Sequence, residues 1–125
     1  MSAEEIDDPI EFLASLGGLQ DAGIDSIALD VADQVLYLFI DDLYANLEGR
    51  PDYPGQRPCA LVFLNVGGLR VDVDASDGLR ISELRVNETA AGYSLEVDLN
   101  IGGVAGRARN ITASFSALEV EDVED

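Results

Sequence analysis

The chain has 125 residues, 47% of them apolar, and its 25 acidic residues against 7 basic ones give a formal net charge of −18. This length and apolar content predict one globular domain over residues 1–125, with frayed acidic ends at 1–7 and 119–125. Every basic residue is an arginine, since lysine and histidine are absent. Because ligands of phosphate backbones and anionic lipids need many basic side chains, we exclude nucleic acid and membrane as direct ligands.

Three explanations of the acidity remain open. They are a basic protein partner, a bound cation, and general solubility or salt tolerance in a salt-adapted or GC-rich bacterial proteome. The excess of Asp over Glu, 15 to 10, is in keeping with the last of these. Composition alone does not choose between them.

Nothing in the sequence indicates export or membrane insertion. Residues 1–8 are acidic and polar, whereas a signal peptide begins basic and then turns apolar. No apolar run approaches the ~20 residues that cross a bilayer. The single cysteine, Cys59, cannot form an internal disulfide, and we interpret it as a core residue. These features predict a cytoplasmic protein.

One short helix is predicted near the N-terminus. Asp8 is a suitable N-cap, and Pro9 suits the first helical position because its missing N–H has no partner there. Gly17 and Gly18 supply the stop. We therefore predict a helix over about residues 9–16, lying on a sheet.

The stretch from Gln34 to Val66 organises the predicted fold. The six consecutive apolar residues Val35 to Ile40 predict a strand covered on both faces. A second apolar run, Cys59 to Val66, predicts another buried strand. Residues Ile27 to Val31 alternate apolar with polar, and a turn at Ala32 and Asp33 makes them a hairpin with the first buried strand.

Four more strands are predicted after these. They are Leu69–Val73, Leu79–Val86, Tyr93–Ile101 and Arg107–Ala117. In the second of them the apolar phase slips from odd to even positions, which predicts a β-bulge near Ser82 or Glu83. The pattern predicts a mainly β fold, an antiparallel β-sandwich or strongly curved sheet of about seven strands with one short N-terminal helix.

The segment from Asp72 to Glu83 resembles an EF-hand calcium loop in the spacing of its oxygen ligands. Asp72, Asp74 and Ser76 take the first, third and fifth positions, and Glu83 takes the twelfth. Asp77 replaces the glycine that such a loop needs, and both flanks have strand periodicity. The alternative is a plain hairpin with acidic residues on its solvent face. We expect no metal site and keep these four ligands as weak candidates.

The composition argues against catalysis. Without His or Lys, the usual neutral-pH bases and amine nucleophiles are missing. A carboxylate pair or magnesium site could use Asp41 and Asp42 with Glu48 or Asp52. Capping of a short helical turn by Asp41 or Asp42 is the simpler interpretation. We therefore predict no enzymatic activity and no cofactor.

The loop from Asp41 to Pro58 is the best candidate interface. It is long for a compact domain, and three prolines stiffen it, which lowers the entropy cost of ordering it. The candidate partner-binding residues are Asp41, Asp42, Tyr44, Arg50, Tyr53 and Arg57. Their tyrosines and arginines suit an interface. The alternative is self-bracing, in which the arginines pair with Asp41, Asp42 or Asp52.

The order of elements resembles that of small acidic bacterial proteins of unknown function. The resemblance lies in the two strands, the Asp41-Asp42-Leu43-Tyr44 turn, the Pro-rich loop and the Leu61-Val62-Phe63 strand, and it covers about Ile27 to Val86. Some of those proteins are grouped with the immunity proteins of polymorphic toxin systems. The resemblance implies an acidic protein that neutralises a cognate toxin by direct binding, and it transfers no site residues.

We therefore expect a non-catalytic acidic protein-binding domain, immunity-like in the form the resemblance implies, that engages a basic protein partner. Electrostatic steering would make such binding sensitive to salt. Two alternatives remain. One is a calcium-binding β-module on the Asp72 to Glu83 hairpin, and the other is a structural homo-oligomer formed through an edge strand or the tyrosine-containing loop.

Overall fold

A computed structural model describes residues 3–73, 78–101 and 110–123. Its regular elements, in chain order, are β1 Ala3–Ile6, α1 Pro9–Ser15, a 3-10 turn Gly17–Leu19, β2 Ile24–Asp30, β3 Val35–Ile40, a 3-10 turn Ala45–Leu47, β4 Cys59–Leu64, β5 Gly67–Asp72, β6 Leu79–Thr89, β7 Gly92–Ile101, β8 Asn110–Phe115 and β9 Ala117–Asp122. The prediction of a mainly β protein with one N-terminal helix is confirmed. The described residues contain nine strands where about seven were predicted.

The strands form two antiparallel sheets. The five-stranded sheet has the order β1-β9-β4-β3-β2, and the four-stranded sheet has the order β5-β8-β7-β6. One apolar core cluster draws residues from both sheets, with Leu36, Leu38, Leu61 and Phe63 from the first and Val97 from the second. The core therefore lies between two sheets packed face to face.

The two apolar runs of the sequence differ in burial. In β4, residues Cys59 to Phe63 are all buried. In β3, residues Leu36, Leu38 and Ile40 are buried, but Val35, Tyr37 and Phe39 are only half-buried. The prediction that β3 is covered on both faces is therefore wrong for its outer face. The inner face alone satisfies the need to bury apolar surface, and aromatic residues occupy the outer one.

The predicted helix is confirmed. Asp8 caps α1, because its Oδ1 accepts a hydrogen bond from the N–H of Glu11 at 3.1 Å, and Pro9 stands in the first turn. After the helix, Gly17 and Gly18 take φ values of 65° and 67°, a backbone region that glycine adopts at little cost. This chain reversal brings the residues after α1 against β6.

The segment after the helix also pairs with the free edge of β6 at Arg80 and Ile81. The N–H of Asp21 donates to the carbonyl of Ile81 at 2.9 Å, and the N–H of Ile81 donates to the carbonyl of Ala22 at 2.8 Å. Strand edges with unpaired backbone groups invite pairing with other chains. At Ile81 the molecule's own backbone takes up these groups.

The predicted bulge is present. The pairing of β6 with β7 shifts register between Ile81 and Glu83, so that Ile81 and Leu84 are both buried. The slip in apolar phase required one extra residue, and the backbone accommodates it at Ser82. A similar shift lies between Gly67 and Arg70 in β5.

The prediction of frayed ends is wrong for Ala3–Ile6 and for residues 119–122, which lie in strands, while residues 1–2 and 124–125 lie outside the described residues. Residues Ala3–Ile6 pair with β9, which is itself hydrogen-bonded to β4. Leu118 and Val120 of β9 are buried, while Glu119 and Glu121 point to the opposite face. Acidic and apolar residues therefore alternate along β9 and give it one apolar face. In the sequence, the many acidic residues make this alternation hard to recognise.

The predicted strand Arg107–Ala117 is wrong as one strand. Arg107 lies outside the described residues, β8 ends at Phe115, and the chain passes into the other sheet as β9 at Ala117. The N–H of Ser116 donates to the carbonyl of Leu64 at 2.9 Å at this crossing. The predicted single strand is therefore divided between β8 of one sheet and β9 of the other.

The predicted hairpin between Asp72 and Glu83 is also wrong. Strands β5 and β6 lie at opposite edges of the four-stranded sheet. Asp72, Asn110, Asp98 and Glu83 are successive register partners across that sheet. Three strand spacings, ~14 Å, therefore separate the backbones of Asp72 and Glu83.

This separation removes the proposed ligand set. Calcium ligands lie 2.3–2.6 Å from the ion, so Asp72 and Glu83 cannot coordinate the same ion. Glu83 instead pairs with Arg85. The other two weak candidates, Asp74 and Ser76, lie outside the described residues.

Candidate functional site: a braced loop beside an acidic groove

The loop from Asp41 to Pro58 joins β3 to β4 and is organised by the carboxylate of Asp42. This side chain is only 4% exposed, the one buried charged residue of the described chain. Its Oδ1 accepts hydrogen bonds from the N–H groups of Tyr44 and Arg57, both at 3.0 Å. Its Oδ2 accepts a hydrogen bond from the hydroxyl of Tyr53 at 2.6 Å. One buried carboxylate thus fixes three points of the loop.

Where the chain leaves a buried strand, its backbone N–H groups no longer face a neighbouring strand and need other hydrogen-bond acceptors. An aspartate two residues before a turn does this for the N–H of Tyr44, as short acidic side chains commonly do. The same oxygen accepts from Arg57 fifteen positions later. Asp42 therefore couples the two ends of the loop.

Arg57 fastens the loop to β9. Its Nε donates to Oδ1 of Asp122 at 2.8 Å, and its Nη1 donates to the hydroxyl of Tyr44 at 3.1 Å. The guanidinium carbon lies 6.0 Å from the centre of the Tyr44 ring. The pKa of Arg57 is raised above its ordinary value, mainly because of the hydrogen bond to Asp122.

The hydrogen bond to Asp42 raises the pKa of Tyr53 from 10.0 to about 12, with smaller contributions from desolvation and nearby carboxylates. The contribution of this hydrogen bond to folding stability is complete below pH 10 and is lost as the pH rises through 12, since the unfolded chain ionises first. We expect Tyr53→Phe to remove the phenolate absorbance step near pH 12 and to make stability less dependent on pH above 10.

Spectrophotometric titration of folded protein and urea unfolding at several alkaline pH values provide the measurement. Tyr37→Phe is the matched control, because it removes a tyrosine that makes no hydrogen bond to Asp42. A step near pH 12 that survives in Tyr53→Phe would show that another tyrosine is bonded to the carboxylate.

The six predicted interface residues divide into three groups. Asp42, Tyr44, Tyr53 and Arg57 form one hydrogen-bonded cluster. Asp41 faces the turn before β2, where its Oδ1 accepts from the N–H of Gly23 at 2.8 Å. Arg50 lies apart, 3.9 Å from Asp52 in an exposed pair. Exposed pairs of this kind contribute little to stability.

The self-bracing alternative is therefore confirmed in kind, with a different partner for one arginine. Arg50 pairs with Asp52 as that alternative expected. The guanidinium of Arg57 forms its ion pair with Asp122 of β9 and not with a loop carboxylate, although the backbone N–H of Arg57 donates to Asp42. The sequence offered no signal for this contact, since the run containing Asp122 was interpreted as a tail.

An acidic groove of about 440 Å³ lies beside the loop. It is lined by Asp21, Asp41, Asp42, Ala45, Glu48, Tyr53, Gln56 and Arg80. Sequence reasoning missed Asp21 and Arg80, which come from the turn before β2 and from the start of β6. They meet the loop because Gly23 forms a bridge with Arg80. No local pattern reports such a long-range pairing.

The groove carboxylates have different roles. Asp41 and Asp42 accept hydrogen bonds that hold the fold. Within the described ranges, the carboxylates of Asp21 and Glu48 make neither a hydrogen bond nor an ion pair. These two are available to a ligand. Among the described residues, no three acidic or cysteine side chains are placed to hold a metal ion.

Cys59 begins β4 at the end of the loop and is fully buried. Burial raises the pKa of its thiol from 9.0 to about 12. Because the thiolate is the reactive form, we expect folded protein to resist alkylation by iodoacetamide at about pH 8 and unfolded protein to react completely. Mass spectrometry with and without urea measures this, and rapid labelling of folded protein would contradict the burial of Cys59.

Comparisons with family models, curated proteins and solved structures found no match. In the described part of the chain, no helix has the length and apolar character that crossing a bilayer requires. The candidate site is therefore defined by the geometry of the braced loop and the acidic groove.

Proposed function

We propose that this chain is a non-catalytic, acidic protein-binding domain that engages a basic protein partner at the groove beside the Asp41 to Pro58 loop. The observation that carries the proposal is the groove itself, where the carboxylates of Asp21 and Glu48 stand without a hydrogen bond or ion pair in the described chain. A basic side chain that enters would find these two carboxylates without an ion-pair partner. Arg80 also lines the groove, where its Nη1 donates to the backbone carbonyl of Asp21 at 3.3 Å and leaves the Asp21 carboxylate unpaired. The net charge of −18 would steer such a partner toward the chain.

The braced loop supports the same proposal. Asp42 joins the start of the loop to Arg57 near its end, and Arg57 holds the loop to β9, so its surface is ordered before any partner arrives. A preorganised surface pays a smaller entropy cost on binding than a flexible one. Tyr53, which lines the groove, adds amphipathic contact area beside the free carboxylates.

An immunity-like role is the specific form of this proposal that the sequence resemblance implies. In that form the basic partner is a toxin, and binding alone neutralises it. The chain then contributes carboxylates and a rigid surface, with no chemical step of its own.

The test is affinity capture from the host at about 0.05 M salt, followed by titration of the purified basic partner. The wild-type chain is compared with the double variant Asp21→Asn/Glu48→Gln. We expect this variant to weaken binding at least about ten-fold, since two charges facing the partner are lost. Asn is well tolerated at position 21, where φ is 74°.

The matched control is Asp7→Asn/Glu88→Gln, which removes the same charge from exposed positions outside the groove. It should weaken binding only slightly, through the net charge. Equal losses for the two variants would show that the acidity acts without a specific site. Affinity that does not fall between about 0.05 and 0.5 M salt would contradict electrostatic recognition.

A further inference from the structure

The two sheets present very different outer faces. On the four-stranded sheet, the outward-facing Arg85 forms ion pairs with Glu83, Glu96 and Asp98. This face is polar, with one arginine shared among three carboxylates, as suits a solvent-facing sheet. The outer face of the five-stranded sheet carries apolar residues instead.

The apolar face is defined by register. Tyr37 pairs with Val62, and Phe39 pairs with Ala60. Ala60 and Val62 are 2% and 4% exposed and do not belong to the core cluster. Tyr37 and Phe39 stack with ring centres 6.0 Å apart and remain half-exposed. We call these four residues the outer apolar face.

In the described chain, no helix and no further sheet packs on this face. The helix α1 packs against β6, in the other sheet. A sheet face rich in large apolar side chains normally lies against a second layer of structure. The solvent-accessible parts of the Tyr37 and Phe39 rings are therefore the apolar contact surface that this face offers to a partner.

A row of carboxylates borders the outer apolar face. Glu119 and Glu121 of β9 are the register partners of Val62 and Ala60, and Glu5 of β1 is the partner of Glu119. In the described residues these three carboxylates form no ion pair and no hydrogen bond. Glu5 directly opposite Glu119 is a like-charge pair, which destabilises a sheet. A cationic group placed over this row would relieve that repulsion.

We propose that the outer apolar face and its acidic border bind a cationic amphipathic helix of a partner protein. The apolar side of the helix would cover Tyr37 and Phe39, and its Lys or Arg side chains would reach Glu119 and Glu121. The half-buried residues of β3 run from Val35 to Phe39, a length of ~13 Å, which about nine helical residues would cover. This surface is separate from the groove, although both take basic partners.

Charge argues against a second copy of the chain as the occupant. The side of the face opposite the glutamates ends at Asp30, the register partner of Val35. Acidic residues therefore stand on both sides, and two copies packed face to face would bring like charges together. The net charge of −18 adds to this repulsion.

The probe is a synthetic helix of about 18 residues, built from leucine and lysine so that one side is apolar and the other cationic, with one tryptophan on its apolar side. The chain itself lacks tryptophan, so peptide fluorescence reports binding without background. A scrambled peptide of identical composition is the control. We expect the amphipathic peptide to bind at least about ten-fold more tightly than the scrambled one.

Two variants of the chain test the location. Tyr37→Thr/Phe39→Thr keeps strand propensity and should weaken binding at least about ten-fold. Glu119→Gln/Glu121→Gln should weaken binding several-fold and reduce its dependence on salt. Val71→Thr removes an exposed apolar residue from the other sheet and should leave binding unchanged. Circular dichroism and thermal melting confirm that each variant is folded.

Equal binding of the two peptides would overturn the proposal, as would unchanged binding by a folded Tyr37→Thr/Phe39→Thr variant. If that variant does not fold, chemical shifts of the wild-type chain on adding peptide decide, and perturbations confined to regions away from β3 and β4 would overturn it. Light scattering that shows a dimer, dissociated by the same variant, would assign the face to a second copy and also overturn it. Loss of peptide binding in Asp21→Asn/Glu48→Gln alone would place the helix in the groove and leave the proposed function standing.

Discussion

Asp42→Ala is expected to destabilise the folded chain by ~3–5 kcal/mol, because two part-buried backbone N–H groups and one tyrosine hydroxyl lose their shared acceptor, the buried Asp42 carboxylate. That loss is a large part of the total stability of a domain of this size, about 5–15 kcal/mol. Urea unfolding followed by circular dichroism measures it. The exposed carboxylate of Asp52 is the matched control, and Asp52→Ala should change stability by less than about 0.5 kcal/mol.

Asp42→Asn separates the charge from the geometry. The amide oxygen of asparagine can still accept from the N–H groups of Tyr44 and Arg57, so we expect a smaller loss of about 1–2 kcal/mol. A cost for Asp42→Ala below about 1 kcal/mol would show that the loop finds other acceptors. The interpretation of Asp42 as the organiser of the loop would then be wrong.

The sequence predicted the character of this site better than its geometry. An aspartate after a buried strand favours capping of the following turn, and Asp42 does accept from the N–H of Tyr44. Its contact with the N–H of Arg57 depends on where a long loop returns. Local patterns carry no information about that return. The groove residue Asp21 was missed for the same reason.

Periodicity predicted strands well where one face of each strand is buried. β7 alternates through its length, and the phase slip in β6 predicted a bulge near Ser82 or Glu83, which the structure has between Ile81 and Glu83. Prediction from periodicity failed where many charged residues hid the pattern, and where the chain passes from one sheet to the other. Glu119 and Glu121 made β9 resemble a tail, although Leu118 and Val120 belong to the core. A short acidic segment such as β1 pairs because β9 offers it an edge, and only the assembled fold shows this.

The two faces of the five-stranded sheet should differ sharply in their contribution to stability. Phe63 of β4 is fully buried between the sheets, and its ring contacts the ring of Phe115 in the other sheet, with centres 5.0 Å apart and planes at 73°. Phe63→Ala would leave a cavity at the centre of the sandwich. We expect a loss of ~3–5 kcal/mol, from lost burial and from the cavity together.

Phe39→Ala is the matched comparison, because it makes the same substitution on the neighbouring strand but on the outer apolar face. Phe39 is half-exposed, so truncation leaves no closed cavity, and we expect a loss of no more than about 1.5 kcal/mol. Urea unfolding of both variants at the same pH and salt gives the difference. Where Phe63→Ala does not fold, Phe63→Leu, with an expected cost of about 1–1.5 kcal/mol, replaces it. Equal costs for the two alanine variants would mean that the outer face is packed as tightly as the core, and the docking surface proposed for the cationic helix would then be filled by the chain itself.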